Sequence, residues 1–150
     1  MKELKVTPIK NGTVIDHIPP GLALLVLHVL KIPEATSSAV SVAMNVKSKM
    51  GKKDILKIEN KELDEREVNK ISLIAPKATI NIIRDYEVVK KHRVQLPNEI
   101  IGIVKCSNPT CISNSREPVN SRFIVVSKDP PHIKCYYCER ETENIAERII

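Results

Sequence analysis

Tryptophan is absent from this chain, and aromatic residues make up only 3% of it. Stacking platforms for single-stranded nucleic acid, which need several presented rings, are therefore hard to assemble. The core must instead come from Ile, Val and Leu, and the 42% hydrophobic content allows this. Glycine is scarce too, at 4 residues against 10 prolines, which argues against long flexible linkers. No apolar run approaches the roughly 20 residues of a membrane-spanning helix; the longest lies around residues 22–30. The opening MKELKVTPIK lacks the apolar centre of a secretory leader. The expectation is a cytosolic protein, in which cysteines serve as metal ligands or reduced thiols rather than as disulfides.

Cysteine is missing from residues 1–105, and all four cysteines fall in the remainder. That shift, with Pro97 beside it as a hinge, predicts a boundary between domains 1–97 and 98–150. A length of 150 residues suits one domain of ordinary size or two small ones. The net charge of +6 permits nucleic acid, a membrane surface or a phosphorylated ligand as partner, or simple solvation. No helix is densely basic, so a nucleic-acid-binding zinc-ribbon protein is the alternative rather than the main reading. An enzyme is the other rival, but Asp16-His17 lacks an accompanying nucleophile and no catalytic constellation is visible.

The N-terminal part alternates strand and helix signals. Residues 4–9 predict an edge strand, since Pro8 cannot donate to a ladder. After the Asn11-Gly12 turn, residues 13–17 predict a second strand. Apolar residues at 22, 25, 26, 29 and 30 form a helical stripe ending before Pro33. His28, inside that stretch, is expected to be packed. Val40, Val42, Met44 and Val46 alternate as one face of a half-buried strand. A short strand at residues 55–58 follows a basic loop. Asp64 and Glu67 then form a capping-box pattern, with Val68, Ile71 and Ala75 as the buried stripe. Residues 78–83 and 86–94 predict two more strands. The expected class is α+β: a ferredoxin-like antiparallel sheet with two helices, followed by a small all-β zinc domain. Strands in the latter are expected at 101–104, 123–127 and 132–134.

The last 45 residues hold too little apolar material for a self-sufficient core and need a staple. Cys106-x4-Cys111, 23 intervening residues and Cys135-x2-Cys138 supply one. Two close pairs across a longer excursion fit a tetrahedral all-thiolate site. Each pair is expected in a turn whose amides point at sulfur. Four sulfurs leave no open position, so the metal is structural. Zinc is the first expectation, although soft all-sulfur sites also accept iron. Lys105, Lys134 and Arg140 lie beside the ligands and offset the thiolate charge.

Several further stretches are distinctive: NGTVIDHIP at 11–19, KDILKIEN at 53–60, and APKAT at 75–79 continuing through Asn81 to Tyr86-Glu87-Val88-Val89. With the cysteine pairs behind them in register, they resemble the regulatory chain of aspartate carbamoyltransferase over nearly the whole length. The resemblance implies a non-catalytic, cytoplasmic subunit that tunes pyrimidine biosynthesis. Its N-terminal domain would bind CTP, ATP and UTP, with Mg2+ as a possible companion. Its zinc domain would dock the catalytic chain, and three regulatory homodimers would link two catalytic trimers. By the same resemblance, Lys57 and Lys91 match phosphate contacts, Asp16 the acidic residue near ribose, and His17 a phosphate donor. Ile9, Val14, Ile83, Tyr86 and Val88 would line the base slot, with Asn81 nearby. Without the resemblance, the lysines would be read as a solvated face and the apolar residues as core. Two positions depart from the family pattern: Thr7 stands where an acidic residue is expected, and Tyr136 where a lysine occurs.

Overall fold

The computed structural model describes residues 9–32, 34, 37–49 and 51–150. The strand expected at residues 4–9 lies outside these except for Ile9, as does Thr7. The first unit contains β1 (Gly12–Ile18), α1 (Ala23–Val29), β2 (Val40–Ser48), β3 (Gly51–Glu59), α2 (Glu65–Ser72), β4 (Thr79–Arg84) and β5 (Glu87–Arg93). Its sheet order is β2-β3-β1-β4-β5, with every pairing antiparallel. This is the ferredoxin-like arrangement with β5 added at one edge.

Cross-strand partners share a face of a sheet. One row runs Val42–Leu56–Ile15–Ile80–His92. Leu56, Ile15 and Ile80 are wholly buried there, in one cluster with Val26, Leu30 and Ile71 from the helical segments. The helices therefore cover this face.

Two capping devices position the helices. Asp64 accepts the Glu67 amide at 2.8 Å, and Glu67 returns a bond to the Asp64 amide at 3.2 Å. This is the expected capping box. Helix α1 has no side-chain cap of its own. Instead, buried Asp54 on β3 accepts the Gly21 and Ala23 amides at 2.8 and 3.0 Å, and the Asn45 amide at 2.9 Å. One carboxylate thus caps α1 and holds the irregular segment of β2, where the register shifts.

Three expectations need correction. His28 is exposed, not packed, because the buried stripe of α1 runs through Ala23, Val26 and Val29. Strand β3 begins at Gly51, so the basic loop is a strand end: Lys47 pairs with Lys52 and Val46 with Lys53. Strand β2 is less buried than its alternation suggests, with Val42 and Met44 both more than a third exposed. Among the described residues it lies at a sheet edge.

The second unit has β6 (Glu99–Ile101), β7 (Arg122–Lys128) and β8 (Pro131–Cys135) in that order. A four-residue helical turn, α3 (Ile145–Arg148), follows. Val104 bridges to Ile149 rather than extending β6. Phe123, Ile100, Ile133 and Val104 form its core together with Cys106, Cys111 and Cys135. Leu73 and Leu96 belong to that same cluster, while Ile71 belongs to the first. The segment from α2 to Leu73 therefore joins both cores. Arg66 Nη2 also donates to the Gly102 carbonyl at 2.6 Å.

Candidate functional site: a sheet face and a cysteine cage

The face of the sheet turned away from the helices gathers most of the residues singled out in the sequence. One row runs Ser41–Lys57–Val14–Asn81–Lys91 across all five strands. Beside it lie Glu59–Gly12–Ile83–Val88 on one side and Asp16–Thr79–Arg93 on the other. Gly12 is required at its position. A Cβ there would lie 2.1 Å from the Ile58 carbonyl oxygen and 2.9 Å from Ile9 Cδ1. Ile9 is thereby packed over the start of β1 and is 6% exposed.

Tyr86 sits in the tight β4–β5 turn, where both Asp85 and Tyr86 have positive φ. The turn is tied back to the segment before β1: Tyr86 N–H donates to the Lys10 carbonyl at 2.9 Å, and Asp85 N–H to Asn11 Oδ1 at 3.2 Å. The Tyr86 ring is exposed, as is Val88, whereas Ile83 is buried.

At the opposite end of the face, Asp16 accepts Lys53 Nζ at 2.9 and 3.1 Å on its two oxygens. It also accepts the His17 amide at 2.7 Å. His17 Nδ1 lies 3.1 Å from Thr79 Oγ1. A cavity of about 530 Å³ opens here, lined by His17, Lys52, Lys53, Lys77, Thr79 and Arg93 among others. That volume falls within the usual range of ligand pockets. Thr79 and Lys77 were not singled out as site residues in the sequence. Register alone brings Thr79 and Arg93 beside Asp16.

Lys57 departs from the solvated-face reading, being only 2% exposed. Burial pushes its ammonium pKa below the ordinary lysine value, and Glu59 partly offsets this. Desolvation disfavours the charged form.

The four cysteines converge as expected. Their sulfurs all lie within 4.8 Å of one another. Cys106–Cys138 and Cys111–Cys135 are each 3.6 Å apart. A tetrahedral ion with metal–sulfur bonds of about 2.3 Å sets its sulfurs about 3.8 Å apart. The two shortest separations are close to that spacing, so the four sulfurs are placed to close on one tetrahedral ion such as zinc. Asn114 Nδ2 pins the first loop by donating to the Cys106 and Asn108 carbonyls at 3.0 and 2.7 Å.

The backbone amides of Asn108, Tyr137, Cys138 and Arg140 act to favour the thiolate forms of the cysteines beside them. The basic residues Lys105, Lys134 and Arg140, one or two positions from a cysteine in the sequence, are exposed. Burial pushes the Cys106 thiol up to about 12, against the pull of the Asn108 amide. Burial also acts upward on Cys138, but the Arg140 amide, the Asn108 side chain and the neighbouring sulfurs bring it down to about 7.

Residues 4–95 match the family described as aspartate carbamoyltransferase regulatory chain, allosteric domain. Residues 98–147 match the metal binding domain of the same chain. Curated relatives named aspartate carbamoyltransferase regulatory chain agree along the whole length. That of Methanothrix thermoacetophila is 56% identical over 151 residues, covering 99% of this chain and 98% of the relative. That of Thermococcus sibiricus is 58% identical over 144 residues, covering 95% and 94%. That of Pyrococcus abyssi is 54% identical over 145 residues, covering 95% of each. With an allosteric and a metal-binding region matched in sequence order, the chain belongs to the family of aspartate carbamoyltransferase regulatory chains, a regulatory rather than a catalytic subunit.

Proposed function

We propose that this chain is the nucleotide-sensing subunit of a cytoplasmic aspartate carbamoyltransferase, with domains divided as 1–97 and 98–150. Its N-terminal sheet face binds CTP, ATP or UTP, with Mg2+ as companion to the phosphates. The observation that carries this reading is the single row Lys57–Val14–Asn81–Lys91, flanked by Ile83 and Asp16. Two cations, an amide and apolar contacts then lie on one face, as a charged ligand with a flat base requires. Phosphates go toward the cationic end, and the base goes toward Ile9, Ile83, Tyr86 and Val88.

The cysteine cage holds one structural zinc per chain, and the zinc unit docks the catalytic chain. Exposed Ile112, Tyr136 and Tyr137 favour such a contact. Arg122 stacks over the Tyr136 ring at 4.2 Å and stiffens it. Strand β2 is the edge at which a second copy pairs to make the regulatory homodimer. Residues 40–46 carry no charge, whereas the β5 edge carries Lys90, Lys91 and Arg93, a pattern that discourages pairing. Three such dimers would link two catalytic trimers.

Regulation then follows from linkage. A nucleotide shifts the assembly only by its differential affinity for two global states, with typical couplings of roughly 1–3 kcal/mol. All three nucleotides share the triphosphate, so the base must set the direction of the effect. The test is calorimetric titration of the intact chain with CTP, ATP and UTP. Lys57→Ala and Lys91→Ala should each weaken all three together. Loss of a single nucleotide would contradict the phosphate assignment, and a wild-type chain that binds none would remove the nucleotide reading.

A further inference from the structure

Two cavities share one pair of cations. The first is the pocket of about 530 Å³ at the cationic end of the sheet, which Lys77 and Arg93 line with His17 and Lys53. The second, of about 780 Å³, lies between the two units. Its wall includes Glu65, Pro97, Lys128 and Asp129, and again Lys77 and Arg93. Lys77 Nζ stands 3.4 Å from Asp129 Oδ2. That ion pair ties the segment before β4 to the β7–β8 turn.

Arg93 lies in β5, its backbone held in register opposite Thr79. Lys77 and Asp129 have side chains 66% and 51% exposed. An exposed pair of this kind contributes about 0–1 kcal/mol. A lysine is a point charge on a flexible stem and can turn to a new partner without losing a bidentate geometry. Terminal phosphates in the first cavity would carry more negative charge than one carboxylate and would lie on the other side of the same lysine.

We propose that Lys77 is a cation shared between the terminal phosphates of a bound nucleoside triphosphate and Asp129 of the metal-binding unit, so that filling the nucleotide site releases this tie between the units. The proposal rests on the nucleotide reading above and adds a residue and a route to it. Reciprocity then fixes the sign: removing Asp129 must tighten the triphosphate, because the ligand no longer competes for the lysine.

The test titrates the intact chain with CTP and CMP at low ionic strength. Asp129→Asn should tighten CTP by about two- to fivefold, the range an exposed pair allows, and leave CMP unchanged. Lys77→Gln should weaken CTP by a similar factor, and adding Asp129→Asn to it should then have no effect. Hydrogen exchange at residues 128–129 should rise when CTP binds the wild type. Equal CTP affinity in wild type and Asp129→Asn overturns the proposal. If that equality appears while Lys57→Ala still weakens CTP, the nucleotide reading stands and only the shared lysine falls. If the wild type binds no CTP, both fall.

Discussion

In the five-stranded unit, Leu56, Ile15 and Ile80 form a row across three strands with no exposed surface. The corresponding layer of the three-stranded unit is built from Phe123, Ile133 and Ile100 and shares its interior with three cysteine sulfurs. The first has two helical segments to cover its sheet, whereas the second has a 3-10 turn at Ile112–Asn114 and the four residues of α3. Apolar burial scales with the layers available to cover a sheet, so the smaller unit is expected to draw more of its stability from a metal held by the cysteine cage. On the function proposed above, the cysteine cage would hold a rigid surface for a partner while the sheet would offer one face to a ligand.

Chelation tests that contrast with the largest expected effect. Structural zinc in small domains supplies binding free energies of about 10–16 kcal/mol that double as folding free energy. Stripping the metal, or Cys135→Ser, should abolish amide protection through β6, β7 and β8 while β1, β3 and β4 keep theirs. Retained protection in the second unit would show that its apolar core suffices. Loss in both units would show that the link through Leu73 makes them one cooperative body.

Asp54 tests the first unit from the other side, since no metal stands behind it. Its carboxylate satisfies three amides in a buried position. A hydrogen bond to a charged group contributes about 1.5–3 kcal/mol. Asp54→Ala should therefore destabilise the N-terminal unit by about 3 kcal/mol or more in chemical denaturation, with the metal affinity of the chain unchanged. A loss under about 1 kcal/mol would mean that α1 and β2 hold their geometry without it.

What the sequence displayed in advance was mostly local. The Asp64–Glu67 box and the two cysteine pairs depend on residues a few positions apart, and both are seen as expected. The alternation of ladder residues predicted the sheet, and the family motifs named residues that register then set on one face. What could not be read depended on distant partners. Asp54 carried no expectation of its own, because its role depends on Gly21 and Ala23, which lie 33 and 31 positions away. Lys57 looked solvated because nothing in KDILKIEN reveals what lies over β3. Strand β2 alternates like a half-buried strand, but its position at the edge leaves Val42 and Met44 uncovered. Lys77 and Arg93 gain their interest only from a cavity that spans both units.

The shared helix gives a smaller and more discriminating test. Asp64→Ala removes the cap of α2, and such losses cost about 1 kcal/mol. Because Ile71 faces one core and Leu73 belongs to the other, the effect should appear in both units of the metal-loaded chain, as lower amide protection in β4 and in β7. An effect confined to β4 would show that Leu73 is held in the second core independently of the helix.

Lys57 gives the smallest effect, and its sign distinguishes a binding site from a structural lysine. Its folded pKa lies below the ordinary 10.5, with burial as the main cause. In the window between the two values the unfolded chain binds more protons than the folded one, so stability rises with pH there. Below the folded pKa the cost of burying the charge is fully present, and it disappears as pH approaches 10.5. Lys57→Met keeps a similar shape without the charge. It should make the unliganded chain slightly more stable than wild type at neutral pH, with the gap closing in alkaline buffer. Saturating CTP should reverse the order at neutral pH, because only the wild type gains from the phosphates. A Met variant less stable than wild type in the absence of nucleotide would mean that the buried ammonium serves the fold itself and is not held in reserve for a ligand.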